Sequence, residues 1–436
     1  MLRKNRFTGL FSLNSNPIEK HKNYRIKEFL TLWLLPIKSY MAVSSGLLIA
    51  RILGGLITIL IARSLGDIGF ASFSAAFFLM TILGNSTSGL DKTFVFQFVR
   101  LKGREKDSVL SSYTFLKLYL MLFLTSSAIV ILFLFRGSFN FDIRLAILGI
   151  ICSISYWILT YISSIYQALQ KFKLYGLTQI TYYLGLFLLV IIIFLLKINS
   201  GFIYISLYFL ASWILIVLLL PFKNKGILTS KEELIGLLKK AKWLILSEIV
   251  WLIFIRFDYF TVSKILGPDE LGNYALALRI INITIIFVGS LSLYILPKAA
   301  EIDSNKKLAR FWKISLGIGG TLLGFNLILY LLAKPIVLIL FGREYFPTIR
   351  FFRLMIIAYL PMVFLSPFKY LILRFNKEIH YFVFNGILLA TYIIFLNMFV
   401  VKFGSIGPIF AKGVSFLATL LYGFILYNTS KRKDLK

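Results

Sequence analysis

Charged side chains are scarce enough in this sequence that the exceptions draw the eye. Arg51, Lys92, Arg256 and Arg279 each stand inside a long apolar stretch, as do Lys117 and Lys412. The acidic residues at comparable depth are Asp91, Glu248 and Asp258. A lysine or arginine at the centre of a bilayer costs roughly 2.5–3.5 kcal/mol on insertion scales, so such residues face a partner or a wet cavity. Six positive groups against three negative ones leave an interior suited to an anionic ligand.

At about 1.5 Å per helical residue, Arg51 and Arg256 both fall near a membrane midplane. Arg279 and Lys92 lie nearer the ends of their stretches. These four are the candidate substrate-binding cations. Lys117 and Lys412 are placed where a long side chain snorkels toward an interface. Asp258 lies two residues from Arg256, about 200° round a helix, too far for a direct pair. Glu248 lies two turns below Arg256 and about 80° round, also a poor match, although another helix could supply a partner, so Arg256 is read as facing a ligand. Glu248 and Asp258 are the candidates to carry a coupling proton or cation, with Asp258 the more suited to fixing helix packing. The run Gly84-Asn85-Ser86-Thr87-Ser88-Gly89 offers small residues for close helix approach.

Other chemistry lacks raw material. The chain has one cysteine, Cys152, and two histidines, His21 and His380, far apart in sequence. No disulfide or zinc set is expected from these, and no metal or other cofactor. There is no nucleotide-binding G-x-x-x-x-G-K-[ST] loop, no G-x-S-x-G elbow and no H-E-x-x-H pair.

The elements that position the charges follow from composition. Of 436 residues, 59% are hydrophobic and only 15% charged. The mean hydropathy is +0.85, more apolar surface than a water-soluble core absorbs. The expected fold is therefore an all-α polytopic membrane protein. Stretches of about 20 apolar residues suffice to span a bilayer. Twelve are read, at 41–62, 70–97, 109–135, 143–166, 174–196, 202–222, 241–263, 273–296, 312–333, 347–372, 380–401 and 407–427. A basic segment, residues 1–40, precedes them and includes an expected interfacial helix at 26–37. The connecting loops are too short for a soluble catalytic domain.

The net charge of +30 is distributed unevenly. With the N-terminus inside, roughly three times as many Lys and Arg fall on the cytoplasmic side as on the other, as the positive-inside rule asks. Both termini are then cytoplasmic, and nucleic acid is not an expected partner.

The chain also repeats. Leu65-Gly66-Asp67-Ile68-Gly69-Phe70-Ala71-Ser72-Phe73 follows the first span, and Leu266-Gly267-Pro268-Asp269-Glu270-Leu271-Gly272-Asn273-Tyr274 follows the seventh. Six spans per half is an even number, so the halves face the same way, related by an axis along the membrane normal. The expected organisation is an N-lobe at 41–222, a cytoplasmic linker at 223–240, a C-lobe at 241–427 and a tail at 428–436. Two pseudo-symmetric six-helix lobes then enclose a central cavity.

At these residues the sequence resembles the polysaccharide transporter family, the Wzx-type flippases of the multidrug/oligosaccharidyl-lipid/polysaccharide superfamily. The carriers are Ala62-Arg63-Ser64-Leu65-Gly66 with Phe70-Ala71-Ser72-Phe73, then Arg256-Phe257-Asp258, Leu266-Gly267 and Leu271-Gly272-Asn273-Tyr274. Leu293-Tyr294-Ile295-Leu296-Pro297 and Leu340-Phe341-Gly342-Arg343-Glu344-Tyr345 complete the series. Ala71 stands where the family usually has Gly, and an extension to fourteen spans is absent.

The resemblance implies a transporter rather than an enzyme, in the bacterial inner membrane. It would flip a polyprenyl-pyrophosphate-linked oligosaccharide, such as an O-antigen or other surface polysaccharide repeat unit, by alternating access. Membrane lipids, a polysaccharide polymerase and glycosyltransferases are the implied neighbours. A drug/cation antiporter of the same superfamily is the alternative, disfavoured by the positive interior. A membrane-embedded polymerase or transferase is a third reading.

Overall fold

A computed structural model of the chain describes residues 35–134, 142–219, 231–265, 268–341, 343–375 and 377–434, and it is helical throughout, with no strand among them. The expected interfacial helix at 26–37 lies almost wholly outside the described residues, as do residues 223–230 of the linker. So do the side chains of Arg256, Asp258 and Arg279.

Nine helical stretches among the described residues are long and apolar enough to cross a membrane. One of them, Glu378–Thr429, contains both the eleventh and twelfth spans. The twelve expected spans are all helical. The first two share Leu35–Asn85, with Ser88–Arg100 finishing the second. Then come Arg104–Leu134, Ile143–Ala168, Phe172–Leu195 and Gly201–Leu219. The second half runs Lys231–Ile265, Pro268–Ala300, Asn305–Leu331, a tenth span in two pieces, Glu378–Phe403 and Gly407–Asp434.

Local chemistry sets several boundaries. Asp142 caps the fourth span, its side chain accepting from the backbone N–H of Arg144 and Leu145. Ser304 caps the ninth through Lys307 N–H. The tenth span breaks between Thr348–Tyr359 and Met362–Arg374, at Pro361, which has no N–H to give. The seventh helix begins at Lys231, so the last ten residues assigned to the linker belong to it. Glu232 and Glu233 in its first turn favour that start, because carboxylates complement a helix N-terminus.

Residues Leu35–Asn85 run as one helical segment of 51 residues, yet they do not make one straight rod. Gly46 lies against Gly176 and Gly54 against Tyr183, so the first part runs parallel to the fifth span. Gly149 packs on Ala76, and Trp157 Nε1 donates to Leu83 O at 2.7 Å, so the second part runs parallel to the fourth. The fourth and fifth spans are themselves antiparallel, with Gln179 bonded to Ser163 and Tyr182 to Ser155. The chain therefore doubles back between Leu65 and Phe73. Ser64 Oγ donating to Asn199 Oδ1 at 2.9 Å fixes that turn beside the loop before the sixth span.

Packing repeats with a period of six spans. The first meets the fifth as the seventh meets the eleventh, where Ser247 bonds Tyr381 O and Asn385 bonds Ser247. The second meets the fourth as the eighth meets the tenth, where Thr348 bonds Asn273 and Ser292 bonds Ser366. The fifth meets the sixth, with Gly185 against Ile214, as the eleventh meets the twelfth, with Gly407 against Phe399. Two equivalent lobes result.

The lobes touch chiefly along two edges, the first span against the eighth and the second against the seventh, with further contacts of the second and fourth spans on the eighth. Tyr40 Oη donates to Phe287 O at 2.9 Å on one edge. On the other, Gly89 lies so close to Leu244 and Ile245 that a Cβ would overlap their backbone.

Candidate functional site

Both lobes carry their basic loops at one end, marked by Arg100–Lys106, Lys171, Lys306, Lys307 and Lys377. The polar contacts that join the lobes cluster in this basic half. Arg100 Nη2 donates to Arg374 O at 3.1 Å, and Ser108 Oγ to Glu233 Oε2 at 2.5 Å. Gln167 Nε2 donates to Leu293 O at 2.7 Å. Gln170, in the turn between the fourth and fifth spans, bonds both Glu301 and Lys298. A cavity of about 350 Å³ remains beside them, lined by Lys298, Glu301, Lys307 and Arg310 and also by the rings of Phe172, Tyr294 and Phe311. The protein is closed at its basic end by these polar contacts, by the ring of Phe172 against that of Tyr294 and by the close approach of Gly89 to the seventh span.

Within that closure stands a three-charge cluster spanning both lobes. Lys92 of the second span places Nζ 2.6 Å from Glu248 Oε1 of the seventh. Lys369 of the tenth places Nζ 3.6 Å from the same oxygen. Tyr381 Oη donates to it at 3.4 Å. Lys369 also lies over the rings of Tyr381 and Trp251, at 4.4 and 5.8 Å from their centroids. The side chains of Lys92, Glu248 and Lys369 are 23%, 10% and 14% exposed. Two ammonium groups to one carboxylate leave the cluster positive.

Its position follows from a break in the second span. The helix stops at Asn85 and restarts at Ser88, with Gly84 against Tyr156 on one side of the break and Gly89 against the seventh span on the other. The small-residue run therefore packs helices, and it also interrupts the one expected to continue through it. The lower piece carries Asp91 and Lys92 to different destinations.

Asp91 Oδ1 accepts from Lys117 Nζ at 2.6 Å and from Tyr113 Oη at 2.7 Å, wholly within the first lobe. Lys117 also donates to Thr160 Oγ1 at 2.8 Å. Lys117 does not snorkel to an interface, because Asp91 on the neighbouring helix holds it in the interior. Lys412 does not snorkel either. It is buried among Phe254, Tyr359 and Tyr392, with Nζ donating to Tyr359 Oη at 3.1 Å and lying 5.7 to 5.9 Å from the three ring centroids.

Arg51 is placed differently from these buried cations. It is exposed although it lies deep in the first span. At about 100° per residue, its neighbours one turn away are Leu47 and Leu48 on one side and Gly54 and Gly55 on the other, and the exposed apolar stripe of Ile52, Leu56 and Ile59 lies about 80–140° round. Gly55 has open space beside it, and Gly54 faces the Tyr183 ring. The guanidinium thus has leucines one turn towards the N-terminus and open space on its Gly55 side.

Of the expected site residues, Lys92 and Glu248 are brought together in one ion pair, and Arg51 stands apart. Lys369 was not singled out in the sequence because it sits three residues inside the end of the tenth span, among the basic residues that mark that end. Tyr113 and Tyr381 carried no sequence signal beyond being aromatic.

The family described as "Polysaccharide biosynthesis protein" matches residues 37–302. No curated protein matches in sequence. Solved structures share the fold at low identity. An outward-facing multidrug resistance MATE family transporter of the MOP superfamily aligns with TM-score 0.74 and 16% identity, covering 91% of this chain and 97% of that one. A mutant MATE transporter from Vibrio cholerae aligns with TM-score 0.74 and 14% identity, over 94% and 99%. A MOP superfamily transporter from Pyrococcus furiosus, described as having a binding pocket of reverse polarity, aligns with TM-score 0.69 and 15% identity, over 91% and 97%.

Proposed function

The chain belongs to the polysaccharide biosynthesis protein family, and on that premise we propose that it is a flippase for a polyprenyl-pyrophosphate-linked oligosaccharide. The basic end faces the cytoplasm of a bacterial inner membrane, in keeping with the positive-inside rule. The two lobes rock to expose the cleft first to one side and then to the other. The substrate's pyrophosphate meets cations in the cleft, its sugars occupy the hydrated space, and its lipid tail stays in the bilayer.

The observation that carries this reading is Arg51, exposed in mid-span with open space beside its neighbour Gly55, together with a positive cluster where the lobes meet. Hydrogen bonds to charged groups contribute about 1.5–3 kcal/mol each, so a few such donors suffice to select a pyrophosphate. Arg256 and Arg279 are proposed to join Arg51 from the second lobe. O-antigen or another surface polysaccharide is the cargo class, supplied by glycosyltransferases and consumed by a polymerase.

The solved structures of similar fold include multidrug transporters, and an antiporter for cationic drugs is the competing reading. It calls for carboxylates accessible in the cleft. Asp91 and Glu248 are instead both engaged by lysines.

The test is to deplete the protein from cells and follow lipid-linked oligosaccharide in each leaflet. Accumulation on the cytoplasmic leaflet, reversed by re-expression, supports the flippase. Unchanged leaflet distribution together with altered efflux of cationic dyes would replace it with the antiporter.

A further inference from the structure

We infer that Glu248 exchanges lysine partners during transport, and that the exchange uncovers Lys92 as a phosphate acceptor only while the basic end is open. The inference rests on the alternating-access reading above. Its warrant is which lobe each charge belongs to. Lys92 comes from the first lobe, whereas Glu248 and Lys369 both come from the second. When lobes part, a bond across the boundary must break and a bond within one lobe need not.

A buried carboxylate stripped of its partner is strongly destabilising. Glu248 avoids that state. Lys369 already stands 3.6 Å from the oxygen that Lys92 holds at 2.6 Å. Charge-assisted hydrogen bonds are about 2.7–2.9 Å long, so a shift of about 1 Å by Lys369 completes the replacement. Tyr381 donates to the same oxygen and supports the Lys369 ammonium on its ring, so the receiving side is already assembled.

The freed group is Lys92, a cation on the half-helix that lines the boundary. In the closed state Glu248 covers it. In the state open to the basic end it is unpaired and takes a phosphate of the polyprenyl-linked substrate. On closure Glu248 reclaims Lys92 and the phosphate is expelled. Lys92 is the binding residue in this scheme, and Lys369 is a positioning residue that makes its release affordable.

The scheme predicts opposite effects from removing two lysines that hold the same carboxylate. The test introduces Ser108→Cys and Glu233→Cys, a bonded pair across the lobes at the basic end, in a Cys152→Ser background. Thiol cross-linking in purified protein then reports closure. Lys92→Gln removes only the closed-state bond, and cross-linking falls. Lys369→Gln leaves Glu248 no cationic partner after opening, so cross-linking rises. Each rate shifts about tenfold, well within what a stranded buried charge implies. Shifts in the same direction, or none, overturn the exchange.

Farnesyl pyrophosphate serves as the probe, with inorganic pyrophosphate as the lipid-free arm. Farnesyl pyrophosphate lowers cross-linking when Lys92 is present and has no effect in Lys92→Gln. An equal effect in both overturns the role of Lys92 but leaves the flippase reading standing. Opposite lysine effects with no response to either probe support the exchange and remove the pyrophosphate substrate. If Lys369→Gln does not fold, Glu248→Gln replaces it. Lys92 is then uncovered in both states and probe affinity rises about fivefold, on the scale of one charge-assisted bond. Unchanged or weaker binding overturns the inference.

Discussion

Asp91 and Lys92 are consecutive residues whose side chains serve different lobes. Asp91 accepts a hydrogen bond from Lys117 inside the first lobe, while Lys92 reaches Glu248 in the second. One helical step of about 100° separates the two directions. The lower half of the second span is thereby tied to its own bundle by one residue and to the opposing bundle by the next.

The internal tie sets stability. Asp91→Asn leaves the Lys117 ammonium buried without its carboxylate, and removing one member of a buried pair costs about 3–5 kcal/mol. The protein should unfold at clearly lower temperature in detergent. Asp91→Asn combined with Lys117→Met should recover most of the loss, which a double-mutant cycle on thermal midpoints measures. An additive double variant would mean the two side chains are not coupled.

Gly89 is a steric requirement of the lobe boundary. An alanine there meets the backbone of Leu244 and Ile245, and overpacking of this kind typically costs about 1–3 kcal/mol. The strain falls only on the closed state, so Gly89→Ala should reduce Ser108–Glu233 cross-linking more than it lowers thermal stability. Gly55→Ala, with open space beside it, should change neither by more than about 0.5 kcal/mol.

For Arg51 the expected outcome separates function from folding. The side chain is exposed, so Arg51→Ala should leave the amount of folded protein unchanged while transport falls about ten- to a hundredfold, the loss of one charged hydrogen bond. Arg51→Lys should restore part of the activity, because it keeps the charge but not the planar fork. Transport normalised to membrane protein content is the measurement, and full activity of the alanine variant would remove Arg51 from the pathway.

Orientation is open to direct labelling in a Cys152→Ser background. Asp303→Cys, in the loop before the ninth span, should react with a membrane-impermeant maleimide only from the cytoplasmic side. Asn199→Cys, in the loop before the sixth span, should react from the outside. The reverse pattern would invert the assigned topology.

The spans and lobes were legible in the sequence because hydropathy is a property of a segment by itself. Twelve apolar runs, an even split and the paired turns at Leu65 and Leu266 required no knowledge of which helices touch. Pairing of charges does require it. Spacing along one helix showed only that Glu248 does not face Arg256, and gave no sight of Lys92 arriving from the other lobe. The same blindness sent Lys117 toward an interface, although Asp91 waits on the adjacent span. The interruption between Asn85 and Ser88 was hidden because its small residues suit a packed helix as well as a broken one.

The twofold repeat in packing carries a consequence for the two edges along which the lobes meet. The offset that takes Leu65 onto Leu266 also takes Lys92 onto Leu293 and Glu248 onto Leu47. The symmetry is therefore kept by the backbone and dropped by the chemistry. One edge, between the second and seventh spans, is fastened by ions. Its counterpart, between the first and eighth, has leucines at the corresponding places and a neutral bond from Tyr40 to Phe287. The ion pair of one edge has no equivalent at the same register of the other, where the nearest charges, Lys298 and Glu301, lie further along the eighth span towards the basic end, and the molecule is handed in the plane of the membrane.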